Sequence, residues 1–175
     1  GSNSFNVSTG AAFIAAAAGV NIAKHGNRSA SSNSGSADLL EEAGAQINLS
    51  PEKVAYCIEN LGIGFMFAPN HHKATKKVVA IRKELGIRTL FNLVGPLTNP
   101  AGVSTQVIGI FDTNLIEKYL EVLIRLDYKR AMVLASKDGL DEISIASNTI
   151  VGELIDGKYE ISELDPEKFG IQKHD

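Results

Sequence analysis

Short β-rich runs alternate with helical patterns along this chain, and that alternation constrains its fold more than any other feature. Apolar runs at 63–68 (IGFMFA), 103–111 (VSTQVIGIF) and 130–136 (RAMVLAS) are each followed by a polar turn or an amphipathic segment. Strands that alternate with helices are typical of layered α/β domains with parallel sheets. The sequence therefore predicts an α/β fold in which helices flank a mostly parallel central sheet.

Capping residues and glycines set the expected ends of the helices. They predict helices over 8–19, 36–44 and 51–62, the first capped by Ser8 or Thr9 and the second by Ser36. The stretch HKATKKVVAIRKELG predicts a further helix with a basic face. Asp-Gly at 156–157, between two β-rich runs, predicts a β-hairpin.

Length and charge narrow the class of protein. The 175 residues fit one domain, which we expect to span 1–175. The formal net charge is −3, from 17 Lys and Arg against 20 Asp and Glu. A general nucleic-acid binder usually carries an excess of basic residues, so we expect no nucleic-acid partner. This net charge does not exclude a phosphorylated small molecule as a ligand, because binding one requires only one local cluster of hydrogen-bond donors.

Cys57 is the single cysteine of the sequence, so an intramolecular disulfide is excluded. This suits a reducing cytosol. Cys57 lies among apolar positions at helical spacing in PEKVAYCIENLG, which predicts a small buried hydrophobic side chain. No run approaches the roughly 20 apolar residues of a membrane-spanning helix, and we expect no membrane partner. AAFIAAAAGV lacks the basic flank of a signal peptide.

Two polar clusters lie where strands are expected to end and helices to begin, the usual ligand-binding edge of an open α/β sheet. Asn6, Ser8 and Thr9 fall at the start of the first helix, where N–H groups attract anions, although helix capping explains them equally well. In the second cluster, KHGNRSASSNSGSAD (24–38), Lys24 offers a point charge. Its composition fits a solvated flexible loop as well as a phosphate cradle.

A third cluster combines His71, His72 and Arg82. Adjacent residues of a helix point about 100° apart, which disfavours a zinc site on the two histidines. Arg82 follows His72 by ten residues, close to three helical turns, so both side chains can face one side. An arginine facing a pocket would suit a carboxylate through a bidentate pair. A solvated basic helix face is the alternative.

The fourth cluster is KDGLDEIS (137–144), a turn after an expected strand. Asp141 and Glu142 are adjacent carboxylates, and a cation beside them would relieve their repulsion. Magnesium usually takes one or two carboxylates together with waters and substrate phosphates. An ordinary acidic pair on the surface is the alternative.

Five stretches carry a resemblance to one family: FNVSTGAA, KHGNRSASSNSGSADLLE, FMFAPNHH, RKELGIRTLFNLVGPLTNPA and DGLDEIS, in this order. They resemble anthranilate phosphoribosyltransferases, of the class III superfamily of nucleoside phosphorylases and phosphoribosyltransferases. The match runs over nearly the whole chain, and KHGNRS together with GPLTNP is highly specific. The resemblance implies a magnesium-dependent pentosyltransferase of tryptophan biosynthesis, cytoplasmic and homodimeric. Its substrates would be phosphoribosyl pyrophosphate and anthranilate.

The resemblance also implies roles for individual residues. Asn27, His72 and Arg82 correspond to the anthranilate contacts, and Ser8, Asp141 and Glu142 to magnesium ligands. No residue is assigned as a general base. The positions that correspond to the phosphoribosyl pyrophosphate site are Ser4, Asn6, Val7, Ser8, Thr9, Lys24, His25, Gly26, Asn27, Arg28, Ser29, Ala30, Ser31, Ser32 and Ser36.

Compared with this family, we expect the chain to be an internal piece of the catalytic domain. The family carries a GTGGD segment immediately before the position of Gly1, a helical domain further upstream, and a C-terminal stretch beyond PEKFGI. We therefore expect this piece alone to be inactive or nearly so. Two alternatives on the same fold are a nucleic-acid-binding relative without catalysis and a pyrimidine nucleoside phosphorylase. The net charge of −3 disfavours the first, and Arg82, suited to a carboxylate that nucleosides lack, disfavours the second.

Overall fold

The computed structural model describes residues 5–29, 34–71 and 93–173. The chain divides into two compact units, Gly1–Ala101 and Gly102–Asp175. Helices and strands occur in both units, which confirms the α/β class. The expectation of one domain over 1–175 stays a prediction. None of the described helices combines the length and the apolar character needed to cross a membrane.

The first unit contains a pair of parallel strands with helical connections. The strands pair with Lys24 opposite Phe65, and the chain between them passes through two helices. Ala37, Leu40, Ile47 and Phe67 are buried together as a core. The described elements are α1 (Val7–Ala17), β1 (Ile22–Gly26), α2 (Ser36–Glu42), α3 (Pro51–Leu61), β2 (Ile63–Phe67), α4 (Ala68–His71) and a 3₁₀ turn (Gly95–Thr98).

Two of the predicted helix caps are wrong. The N-cap of α1 is Asn6, whose side chain accepts a hydrogen bond from the Thr9 amide, so the helix begins at Val7. The N-cap of α2 is Gly35, and Ser36 is the first helical residue. Asp38, in the first turn of α2, accepts the Gly35 amide, and Gly35 has no side chain that could cap the helix.

The third helix follows its prediction. The Ser50 hydroxyl accepts a hydrogen bond from the Lys53 amide, Pro51 opens α3, and the helix ends at Gly62. These signals are local to the chain, and the structure confirms them. The helix expected over HKATKKVVAIRKELG lies outside the described residues, whose second range ends at His71, the last residue of α4.

The second unit is a four-stranded sheet with one long helix, in the strand order β3-β4-β5-β6. β3 and β4 are parallel and are joined through α5, which packs on β4 and β5 with Ile116, Leu120 and Leu123 buried. The described elements are β3 (Thr105–Gly109), a 3₁₀ turn (Thr113–Leu115), α5 (Ile116–Arg125), β4 (Arg130–Ser136), β5 (Thr149–Ile155), β6 (Lys158–Leu164) and a 3₁₀ turn (Pro166–Phe169).

The end of this sheet is antiparallel. β4 pairs with β5 and β5 with β6, both in antiparallel register. Asp156 (φ 47°) and Gly157 (φ 79°) form the turn between β5 and β6, which confirms the predicted hairpin. Positive φ at both central residues is the conformation that gives a two-residue turn the twist of its strands. Among the described strands, two pairings are thus parallel and two antiparallel.

Candidate functional site

The start of α1 uses its polar side chains to close the helix. Asn6 Oδ1 accepts hydrogen bonds from the Thr9 amide (3.2 Å) and the Thr9 hydroxyl (2.6 Å). Thr9 is buried, and Val7 and Ser8 form the first residues of the helix. The capping interpretation of this cluster is therefore confirmed, with Asn6 as the cap and Thr9 as the donor to it. Capping leaves the helix N-terminus open to an anion, because several of its N–H groups lack partners within the helix.

Ser8 and Lys24 bring the first two predicted clusters together. Lys24 lies on β1, and its Nζ donates a hydrogen bond of 2.9 Å to Ser8 Oγ on α1. The two residues are sixteen positions apart in sequence. His25 and Gly26 complete β1, with Gly26 opposite Phe67. β1 thus places the ammonium group of Lys24 beside the hydroxyl group of Ser8 at the start of α1.

The polar loop after β1 folds back on itself. The Asn27 carbonyl accepts hydrogen bonds from the Ala37 amide (3.3 Å) and the Ser36 hydroxyl (3.5 Å). The Asn27 side chain accepts a bond of 2.8 Å from the Arg28 amide. A Cβ atom at Gly35 would lie 2.5 Å from the Ser29 nitrogen, so only glycine permits this approach. The described part of the loop is folded against α2 rather than extended.

A carboxylate of α2 holds this arrangement. Asp38 Oδ2 accepts hydrogen bonds from the Ser29 amide (3.0 Å) and the Gly35 amide (2.8 Å), and Asp38 Oδ1 accepts one from Arg28 (3.1 Å). The two backbone hydrogen bonds, assisted by Arg28, lower the pKa of Asp38. Asp38 was absent from the predicted site residues. The signal for it was an acidic residue at the third position of a helix, a capping-box position.

The side chain of Arg28 contacts other residues of the first unit. Its guanidinium forms ion pairs with Glu41 and Asp38, and it lies 5.6 Å from the centre of the Phe67 ring. Hydrogen bonds to Glu41 and then Asp38 raise the pKa of Arg28. The sequence suggested Arg28 as a donor toward a ligand. In the structure its donors point to carboxylates of α2, which attaches the loop to that helix.

A cavity of about 290 Å³ reaches from the start of α1 to α3, and Thr9 and Lys24 contribute to its wall. Most of the lining is apolar, including Phe13, Leu40 and Cys57. Cys57 is half-buried, so the prediction of a buried side chain holds only in part. Its position in an apolar wall agrees with the predicted hydrophobic role.

In the second unit, the segment that carries the acidic pair is fixed by a buried serine. Ser144 Oγ donates to Asp138 Oδ2 (2.6 Å) and accepts hydrogen bonds from the Ala146 and Ser147 amides. The Ser144 amide donates to Thr149 Oγ1 at 3.1 Å. Partial burial raises the pKa of Asp138, but hydrogen bonds from Ser144, Ser136 and the Leu140 amide outweigh it and leave that pKa lowered.

Asp141 and Glu142 lie in this fixed segment, Asp141 exposed and Glu142 half-buried. A Cβ atom at Gly109 would overlap the Asp141 carbonyl oxygen. The acidic segment therefore packs directly against the backbone of β3, at a position where no side chain fits. Two adjacent carboxylates suit magnesium, which would take its remaining ligands from water and substrate phosphates. Among the described residues, no group of three or more His, Cys, Asp and Glu side chains is placed to hold a metal ion. The predicted third ligand, Ser8, belongs to the other unit.

The remaining predicted site residues lie outside the described parts of the chain. They are Ser4, Ala30, Ser31, Ser32, His72 and Arg82. Their assignments to phosphoribosyl pyrophosphate or to anthranilate stay predictions.

Comparison with known proteins gives consistent likenesses. Residues 1–175 match the family model described as glycosyl transferase family, a/b domain. An anthranilate phosphoribosyltransferase from Hydrogenovibrio crunogenus is 54% identical over 175 residues, which are 100% of this chain and 52% of that protein. One from Bordetella pertussis is 57% identical over 171 residues, which are 98% of this chain and 50% of that protein. The chain thus spans about half the length of these curated relatives.

Solved structures show the same likeness. Anthranilate phosphoribosyltransferase from Thermus thermophilus is 46% identical, with a TM-score of 0.86 over 97% of this chain and 50% of that chain. The Saccharomyces cerevisiae enzyme in complex with PRPP and Mg is 32% identical, with a TM-score of 0.86 over 99% of this chain and 48% of that chain. The resemblance drawn from the five sequence stretches is therefore confirmed. The chain belongs to the glycosyl transferase family, a/b domain.

Proposed function

We propose that the whole protein is an anthranilate phosphoribosyltransferase. It transfers the 5-phosphoribosyl group of phosphoribosyl pyrophosphate to the amine of anthranilate and releases pyrophosphate, the second step of tryptophan synthesis from chorismate. The observation that carries the proposal is the Lys24–Ser8 hydrogen bond of 2.9 Å, which joins two polar clusters in a chain whose relatives bear that name. A solved yeast relative in complex with PRPP and Mg supports the substrate class.

Charge explains what the first unit contributes. Breaking the bond to pyrophosphate leaves positive character on the ribose carbon and negative charge on the departing oxygens. Lys24 Nζ and the N–H groups at the start of α1 stabilise that negative charge, and such electrostatic stabilisation is usually the largest single contribution to catalysis. The loop from Lys24 through Ser32, with Ser36, covers the phosphoribosyl group. Asn6, Ser8 and Thr9 bind on the pyrophosphate side.

The second unit contributes the acidic pair. Asp141 and Glu142 would hold magnesium, and the family resemblance also assigns Ser8 to a magnesium ion. Bound there, magnesium would offset the negative charge of the phosphates. Hydrogen bonds of Ser144 to Asp138 and from the Ala146 amide order this segment before the ion binds, so little conformational entropy of its backbone is lost on binding.

Anthranilate is bound by its carboxylate and held for attack. Arg82 pairs with the carboxylate, Asn27 contacts the same substrate, and His72 lines its approach. The aromatic amine attacks the ribose carbon, and positioning supplies the main rate advantage. The proton of the aromatic amine becomes acidic as the new bond forms, so a strong general base is not required and none is assigned.

We further propose that the whole protein acts in the cytoplasm as a homodimer and takes no nucleic-acid or membrane partner. The lone Cys57 suits a reducing compartment. The net charge of −3 argues against nucleic acid as a partner. The homodimer rests on the family resemblance.

The activity is tested directly with the whole protein. Anthranilate is fluorescent, so we expect its signal to fall when phosphoribosyl pyrophosphate and magnesium chloride are both present and to stay constant when either is omitted. A second arm supplies a pyrimidine nucleoside and phosphate, and we expect no release of free base. Constant anthranilate fluorescence would contradict the proposal, and base release would support the nucleoside phosphorylase instead.

Replacing Arg82 tests the carboxylate contact. A hydrogen bond to a charged group contributes about 1.5–3 kcal/mol, so we expect Arg82→Ala to raise the KM for anthranilate by roughly tenfold or more. The KM for phosphoribosyl pyrophosphate should change by less than about threefold, since no contact with it is removed. Arg125→Ala, on the exposed end of α5, is the matched control. Equal effects on both KM values would contradict the assigned role.

Removing the acidic pair tests the magnesium assignment. We expect Asp141→Asn with Glu142→Gln to raise the magnesium concentration for half-maximal activity by about tenfold or more, since two charged ligands are lost. High magnesium should restore part of the rate, and a chelator should abolish the activity of the unchanged protein. Glu160→Gln, an exposed acid on β6, serves as the control. A magnesium titration identical to that of the unchanged protein would remove the pair from this role.

A further inference from the structure

The stretch GPLTNP (95–100) has no role in the reaction proposed above, although it is a specific part of the family resemblance. Its Asn99 reaches back to the strand that carries Lys24. Asn99 Nδ2 donates a hydrogen bond of 3.1 Å to the Ala23 carbonyl oxygen, across 76 positions of sequence and within the first unit. Building on the proposed function, we propose that Asn99 is a positioning residue, which holds β1 so that the Lys24 ammonium group meets the departing pyrophosphate.

The orientation of the Asn99 side chain is fixed within its own turn. Asn99 Oδ1 accepts a hydrogen bond of 3.0 Å from the Ala101 amide, which leaves Nδ2 as the atom that faces Ala23. The backbone of Asn99 (φ −59°, ψ 119°) lies outside the helical region, which a following proline disfavours. The turn before it is closed by the Thr98 hydroxyl, which donates to the Gly95 carbonyl oxygen at 2.9 Å. Local contacts therefore present the amide nitrogen to β1.

The Ala23 carbonyl group lies on the edge of β1 that faces away from β2. The Ile22 amide donates a hydrogen bond of 2.8 Å to Gly62, the residue directly before β2. Backbone groups of successive residues in a strand point to opposite edges, so those of Ala23 point away from β2. Pairing with β2 thus holds one edge of β1, and Asn99 holds the other edge at the residue before Lys24.

The position of β1 decides where the Lys24 ammonium group lies. Lys24 Nζ donates to Ser8 Oγ at 2.9 Å, which places its positive charge at the start of α1. Electrostatic stabilisation of a departing anion is strongest when the donor is already in place, because no reorganisation is then needed during the reaction. A shift of β1 at Ala23 would move the Cα atom of the next residue, and the ammonium group with it. We therefore expect loss of the Asn99 contact to weaken the binding of pyrophosphate.

Two substitutions test the contact, so that the test does not depend on the folding of one variant. Asn99→Asp has nearly the same shape and keeps the acceptor for the Ala101 amide, but it places an oxygen atom against the Ala23 carbonyl oxygen. Asn99→Ala removes the contact without adding charge. Asn60→Asp is the matched control, because Asn60 Nδ2 also donates to a backbone carbonyl oxygen, that of Tyr56 at 2.9 Å, on the exposed side of α3.

The first measurement is calorimetric titration of the whole protein with inorganic pyrophosphate and magnesium chloride. We expect the Kd to rise about tenfold in Asn99→Asp and at least about threefold in Asn99→Ala, since a hydrogen bond of the charged Lys24 is misplaced. The Kd of Asn60→Asp should stay within about twofold of the unchanged value. In steady-state assays the KM for phosphoribosyl pyrophosphate should rise with the Kd, while the KM for anthranilate changes by less than about threefold. Unchanged pyrophosphate affinity in both Asn99 variants, or equal rises in both KM values, overturns the proposal.

The second measurement shows whether the effect passes through Lys24. Lys24→Met lacks the ammonium group, so adding Asn99→Asp to it should raise the Kd for pyrophosphate by less than about twofold. A further tenfold rise in that background would mean that Asn99 acts independently of Lys24, and it overturns the proposal. A Lys24→Met protein that binds pyrophosphate as tightly as the unchanged protein overturns the role of Lys24 in the proposed function as well. A weakened Lys24→Met beside unchanged Asn99 variants overturns the role of Asn99 alone.

Discussion

The candidate site of the first unit depends on one carboxylate oxygen, because Asp38 Oδ2 accepts the amides at both ends of the serine-rich loop. It joins Ser29 and Gly35 at a single point on α2. Arg28 adds a second attachment through its ion pairs to the same helix. The same carboxylate accepts the amide of Gly35, the N-cap of α2, so the start of this helix and the described flank of the loop share one acceptor.

The second unit holds its polar segment by other means. There the acidic segment is held by Ser144, which bonds Asp138 and two backbone amides, and by close packing on Gly109. Each unit therefore places a polar segment after a strand of a parallel pair, 27–29 after β1 and the acidic segment after β4, and α/β sheets bind ligands at such strand ends.

Local patterns predicted much of this fold and less of the site. Ser50-Pro51 and Asp156-Gly157 act over a few residues, and the structure confirms both. The wrong N-cap of α2 has a tertiary cause, since the Gly35 backbone is pressed against the start of the loop, at Asn27 and Ser29. The sequence indicated only that a strand end and a helix start would lie near each other, and it did not predict the hydrogen bond between Lys24 and Ser8. The ion pairs of Arg28 with carboxylates of α2 could not be predicted, because the spacing of residues along the sequence does not give the positions of their side chains.

We propose that the polar stretch after β1, whose described flanks are folded against α2, binds phosphoribosyl pyrophosphate. A crystal structure of the whole protein with phosphoribosyl pyrophosphate and magnesium tests it most directly. We expect phosphate oxygens within hydrogen-bonding distance of Lys24 Nζ and of the loop, with the Asp38 contacts to Ser29 and Gly35 retained. A ligand bound elsewhere, with residues 24–36 contacting none of its atoms, would exclude this binding site.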